Sequence, residues 1–224
     1  MIEAPRTEKG RMTRERIVAT ASTLIRERGI AETSLDDVID RAEVSKSQLY
    51  HYFEDRSDLL RAVIEHNTEF VLGVTGPLDG WKAIRSWFDS LVDLQVKGRA
   101  LGGCPVGALV GQLAENDEEA RLALAASFAR WEARLRDGLR SMRARGKLQR
   151  NADPDRLATA TLAAIQGGLI LTQARRDPDQ LAIALDAAYA YLRTFANDVG
   201  YRGVARPPTL PRTAVARPRA ARAR

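Results

Sequence analysis

Residues 33–53 read TSLDDVIDRAEVSKSQLYHYF. Ser34 has the form of a helix N-cap, with Asp37 three residues on as a capping-box variant. Together they predict a short helix from about Leu35 to Ala42. Ser45 and Gln48 form a second capping box only a few residues later. Val44 and Leu49 stand at the two positions of a hydrophobic staple, so a further helix runs from about Lys46 to Phe53. Two short helices joined by a turn too short for antiparallel packing make a helix-turn-helix. Leu49 and Phe53 share a face with Val44 and point inward. Lys46, Ser47, Tyr50 and His51 then project outward, as phosphate and base-edge donors on the first half of the helix. Backbone N–H groups at its N-terminus add an anion-binding end. Arg56 follows within reach of a DNA backbone.

Working outward, Ile17, Ala21, Leu24 and Ile25 form one stripe of a preceding helix that Gly29 ends. Ser57 is read as the cap of a following helix that runs to about Leu72. With these flanks, and with V-S-K-x-x-L-Y-H-x-F at its centre, the stretch from about residue 11 to 70 resembles the TetR family of bacterial transcription regulators. The resemblance implies that Lys46, Tyr50 and His51 lie in or beside the major groove. It implies phosphate contacts from Ser45, Gln48 and Arg56, and from Ser34 at the start of the other helix. The sequence departs from the family at Glu43 and Ser47, where glycine is frequent, and at Tyr52, where histidine is frequent. The family further implies a homodimer, an all-helical C-terminal ligand domain and repression relieved by a small molecule. Two heads about one DNA turn apart, ~34–36 Å, would require a pseudo-palindromic operator.

Beyond Gly73–Gly80, GVTGPLDG, helical periodicity continues to the end of the apolar sequence. The expected fold is all-α, with about nine helices. Residues 1–10 are expected as a flexible arm and 11–71 as the DNA-binding domain. Residues 72–200 form the effector and dimerisation domain. Trp87, Phe88, Leu91, Cys104, Leu109, Phe128 and Trp131 are read either as the lining of a pocket for a hydrophobic or aromatic ligand or as plain core. The segment Gly102–Gly107 looks like one TetR-family group, some of whose members sense electrophiles through a cysteine at this place. Cys104 precedes Pro105, and as a helix N-cap it would have a lowered thiol pKa; buried, it is simply a small hydrophobe.

Leu157 to Ala174 has no charged residue over 18 positions, but its threonines, glutamines and paired glycines suit a protein-buried helix rather than a membrane span. The last helix repeats Leu181, Leu185, Ala188, Leu192, Phe195 and Val199 at 4-3-4-3-4 spacing, a seam for other helices. These two helices are expected to make an intersubunit four-helix bundle through Leu162, Gly167, Gly168, Leu171, Leu185, Leu192 and Phe195.

The chain has 224 residues and a net charge of +6. Residues 201–224 hold seven arginines and no acid, so residues 1–200 carry −1. The basic excess is a Pro-rich tail, expected to be disordered and to serve either solubility or nonspecific attraction to DNA. Residues 1–56 also carry −1, so bulk charge does not mark the DNA-reading surface. One cysteine and two histidines exclude a disulfide framework and the common zinc clusters. There is no P-loop, G-x-S-x-G or H-E-x-x-H, so no enzyme is expected, and no cofactor or metal. No secretory signal is seen, and a cytoplasmic setting is expected. The expected partners are double-stranded DNA, a small-molecule effector and a second copy of the chain. A DNA-organising protein on the same fold is the competing reading.

Overall fold

The structure is a computed structural model that describes residue 5 and residues 7–197. Among the described residues it contains nine helices and one isolated antiparallel bridge, between Leu148 and Ala196. The first four helices are α1 (Glu8–Arg28), α2 (Leu35–Ala42), α3 (Lys46–Tyr52) and α4 (Arg56–Gly73). They bury Ile17, Ala21, Leu24 and Ile25 from α1, Val38 and Ala42 from α2, Leu49 and Phe53 from the α3 region and Leu59, Val63 and Ile64 from α4. The body follows as α5 (Trp81–Lys97), α6 (Gly107–Leu113), α7 (Glu118–Ala144), α8 (Pro154–Arg175) and α9 (Asp179–Arg193).

Local chemistry sets most boundaries. Asp117 caps α7 by accepting from the Ala120 N–H, and Asp153 with Pro154 starts α8. Two expectations are corrected. Thr7 caps α1, so helix begins inside the expected N-terminal arm. The cap of α4 is Asp55, not Ser57: the Asp58 N–H donates to Asp55 Oδ1 at 2.8 Å. An aspartate one turn before Asp58 intercepts that orphan N–H first. Helix α9 stops at Arg193, and the chain then bridges back to the α7–α8 connection, where the Gln149 N–H donates to Phe195 O at 2.9 Å. Val199 and the arginine-rich tail lie outside the described residues.

Helix α4 joins head to body. It packs on α1 and on α7. Buried Thr68 donates its hydroxyl to the Ile64 carbonyl and lies 2.7 Å from Ser127 Oγ on α7. Arg130 on α7 reaches Glu65 at 2.8 Å and also Glu69, and Arg61 pairs with Glu119 at 2.7 Å. Helix α8 is long and apolar enough to cross a membrane by length and composition. It is packed instead between α7 and α9. Its buried threonines are satisfied within the protein: Thr161 donates to Leu157 O at 2.7 Å, and Thr172 Oγ1 accepts from the Leu181 N–H at 3.1 Å.

Candidate DNA-reading head and effector region

The recognition helix is built by its caps. Ser45 Oγ accepts from the Gln48 N–H at 3.1 Å, and Gln48 Oε1 accepts from the Ser45 N–H at 2.9 Å. Val44, Leu49 and Phe53 are buried beneath, as the staple requires. Ser45, Lys46, Ser47, Gln48, Tyr50 and His51 are all exposed on the outer face. Tyr50 stands out at 44% exposure, unusual for a large aromatic with no partner surface. Tyr52 is half-buried, with its ring edge-on to His51 at 4.9 Å.

Two of the expected phosphate contacts are already committed inside the head. The Arg56 Nη2 donates to Ile30 O and, at 3.0 Å, to Thr33 O. Its guanidinium ties down the α1–α2 loop, because that loop leaves carbonyls without helix partners. Ser34 donates its hydroxyl to Asp37 Oδ2 at 2.5 Å while accepting from the Asp37 N–H. The Ser34 hydroxyl and N–H hold the Asp37 carboxyl below its usual value. Both residues therefore help to position the motif, although Arg56 remains exposed and only its Nη2 is engaged.

Trp87, Phe88, Leu91, Cys104, Leu109 and Trp131 are buried, and Phe128 is half-buried. Trp87 and Phe88 lie with ring centroids 5.4 Å apart. The indole Nε1 atoms of Trp87 and Trp131 are buried without a protein acceptor, and Gln95 Oε1, two turns along α5 from Trp87, is buried without a protein donor. Unpaired buried polar groups of this kind cost about 1–3 kcal/mol each. Cys104 Sγ accepts from the Gly107 N–H at 3.2 Å and lies 3.6 Å from Gln166 Nε2. Burial pushes the thiol up despite those hydrogen bonds. Cys104 is not the N-cap of α6, which has Val106 in that place, and of its two readings the structure supports the buried one, since desolvation of the thiolate outweighs the hydrogen bonds from Gly107, Gln166 and Val106.

The expected dimer residues divide between two faces. Leu185, Leu192 and Leu162 are buried within the protomer. A Cβ on Gly168 would stand 2.8 Å from Leu181 Cδ1 and 3.0 Å from Ala184 Cβ, so this glycine lets α8 and α9 of one chain touch. Phe195 is half-buried against Tyr191, centroids 5.5 Å apart. Only Gly167 and Leu171 are exposed. The 4-3-4-3 seam is therefore intramolecular. The outer face carries Ala163, Gly167, Ile170 and Leu171 on α8, with Ile183, Ala187 and Tyr191 on α9. Ile170 and Ile183 are each 64% exposed. Nothing in the spacing separates these two apolar faces.

A capped recognition helix on a three-helix head, carried by an all-helical body, defines a helix-turn-helix DNA-binding protein. Residues 17–63 match the model of bacterial regulatory proteins of the tetR family, and residues 81–187 match the LmrA/YxaF-like transcriptional regulator C-terminal domain. An HTH-type transcriptional regulator in the lacX 3′ region of Lactococcus lactis subsp. lactis is 28% identical over 199 residues, covering 85% of this chain and 96% of its own. The transcriptional regulator AcuR of Cereibacter sphaeroides is 29% identical over 175 residues, covering 75% and 77%. A TetR transcriptional regulator from Chloroflexus aurantiacus shares the fold, with a TM-score of 0.73 at 24% identity over 85% of this chain and 98% of that one. The chain belongs to the TetR family: it is a DNA-binding transcriptional regulator and not an enzyme.

Proposed function

We propose that this regulator is a cytoplasmic homodimeric repressor that a small ligand releases from a pseudo-palindromic operator. The outer face of α3 carries the reading: Lys46, Ser47, Gln48, Tyr50 and His51 are exposed together over a buried Leu49 anchor. A lysine, a tyrosine hydroxyl and an imidazole on one short helix face suit base edges and phosphates. The exposed apolar strip of α8 and α9 supports pairing of two copies. The unpaired Trp87 and Trp131 indole N–H groups support an effector with hydrogen-bond acceptors in the aromatic region of the body. A buried thiol favours a packing role for Cys104 over electrophile sensing. Ligand release requires that the effector prefer the conformation that does not bind DNA, and α4 is the element through which the preference would pass.

The test is selection of sites from random duplex DNA by the full chain, followed by titration of variants on the selected site. The expected product is two half-sites about one helical turn apart. Lys46→Ala and Tyr50→Ala should each weaken binding about tenfold, corresponding to ~1–3 kcal/mol per base contact, with unchanged helicity. Wild-type affinity in both variants would refute the assignment. Selection that returned no preferred sequence would favour the DNA-organising reading.

A further inference from the structure

A cleft lies where the C-terminal end of α1 meets α6 and the α5–α6 loop. Its cavity is about 330 Å³, with Ile25, Pro105, Ala108 and Leu109 on its apolar side and Arg26 and Gln173 among its polar groups. Arg26, Gly102 and Gln173 also line a neighbouring hollow that reaches Arg176, so Arg26 stands at the junction of the two.

Two of the three amides in the cleft wall, Asn67 and Gln112, are spent on fastening the helices. Ser22 donates to Asn67 Oδ1 at 2.7 Å, and Asn67 Nδ2 donates to Pro105 O at 3.1 Å. Gln112 accepts from the Ile30 N–H at 2.8 Å and donates to Ala108 O at 2.9 Å. The surrounding charges are committed as well. Glu27 is held by both guanidinium nitrogens of Arg41 at 2.7 and 3.2 Å. Arg28 pairs with Asp37 at 3.5 Å, and Arg176 donates to Ala100 O at 3.0 Å. Among the described residues, Arg26 forms no ion pair.

The Arg26 stem packs on the α5–α6 loop. Its Cγ and Cδ lie against Gly102, where a Cβ would stand 3.0 Å from Cδ and where φ is +81°. The loop reaches this approach through left-handed backbone at Arg99, Ala100, Gly102 and Gly103. The Arg26 guanidinium is exposed at the rim of a cleft of mixed polar and apolar lining, with no carboxylate at ion-pair distance among the described residues, and such a group is suited to a planar carboxylate.

We propose that this cleft binds a small organic acid. Its carboxylate pairs with Arg26, and its short apolar body lies against Ile25, Pro105 and Leu109. The site adjoins the aromatic region assigned above to the effector through Leu109, but takes no aromatic residue from it. Its walls belong to α1 of the DNA-reading head and α6 of the body, so occupancy couples to operator affinity.

The experiment is calorimetric titration of the full, DNA-free chain with hexanoate and benzoate, with hexanamide and benzamide as uncharged counterparts, and with inorganic phosphate. The acids should bind at least tenfold more tightly than the amides. Arg26→Gln should remove that preference, Arg26→Lys should keep part of it, and both should melt as the wild type does. Acids that fail to bind at millimolar concentration, or that bind no better than their amides, overturn the proposal. So does undiminished acid binding in Arg26→Gln, or phosphate binding as tight as that of the acids. An at least threefold change in operator affinity on adding the acid supports the coupling. Acid binding with unchanged operator affinity supports the site and overturns its coupling to the head. Operator recognition is read separately by the Lys46 and Tyr50 variants, so either conclusion can fail without the other.

Discussion

Glu43 occupies the left-handed region, at φ 52° and ψ 51°, as the last residue of the α2 cap. The Val44 N–H then reaches back to Ile39 O at 3.1 Å, which closes the helix end. A residue with a Cβ is strained there by ~1 kcal/mol or more, as glycine would not be. Glu43→Gly should raise stability by about 0.5–1 kcal/mol in thermal unfolding, and it also removes an acid beside the recognition helix. An unchanged melting temperature would show that the strain is relieved elsewhere. Cys104 makes the opposite case, of a residue whose sequence context misleads. Burial raises its pKa, so the neutral thiol contributes stability below its unfolded value of about 8.5, and this is lost as pH rises through the higher folded value. Iodoacetamide at pH 8 should modify the folded protein at least tenfold more slowly than the urea-unfolded chain. Equal rates would mean that the thiol is accessible in the native state.

Helix α4 joins head to body by packing on both α1 and α7, and its first turn is set by a carboxylate. Asp55 accepts from the Asp58 N–H, while Asp58 Oδ2 accepts from the Glu54 N–H at 3.2 Å. Removing a helix cap costs ~1 kcal/mol, whereas an uninvolved polar residue in the first turn costs within ±0.5 kcal/mol. Asp55→Ala should therefore lower the denaturation midpoint clearly, and Ser57→Ala should leave it nearly unchanged. The reverse order would restore Ser57 as the cap. The same element holds Arg56, whose guanidinium locks the α1–α2 loop, so α4 fixes the pose of the helix-turn-helix as well as its attachment.

At the scale of the molecule, α8 and α9 present two apolar faces with different destinations. The inner face, with Leu185 1% exposed, packs within the chain; the outer face leaves Ile170 and Ile183 in the open. Ile183→Glu and Ile170→Glu should dissociate the proposed dimer in light scattering at micromolar concentration while leaving helicity intact. Leu185→Ala should instead cost about 2–5 kcal/mol of stability, as core truncations do. A dimer that survives both outer-face charges would place the subunit contact elsewhere.

The sequence by itself determined the helix-turn-helix, the two capping boxes at Ser34 and Ser45, the starts of α7 and α8, and the outward face of α3. Each depends on residues within a few positions of one another, so backbone geometry alone fixes who meets whom. It took the tertiary structure to show that Arg56 ties down the α1–α2 loop, that Cys104 is desolvated, that the regular seam of α9 serves its own chain, and that Arg26 stands at a cleft shared by α1 and α6. Those outcomes rest on partners tens of residues away. A helix with apolar residues on both sides has no local feature that says which side another helix will cover.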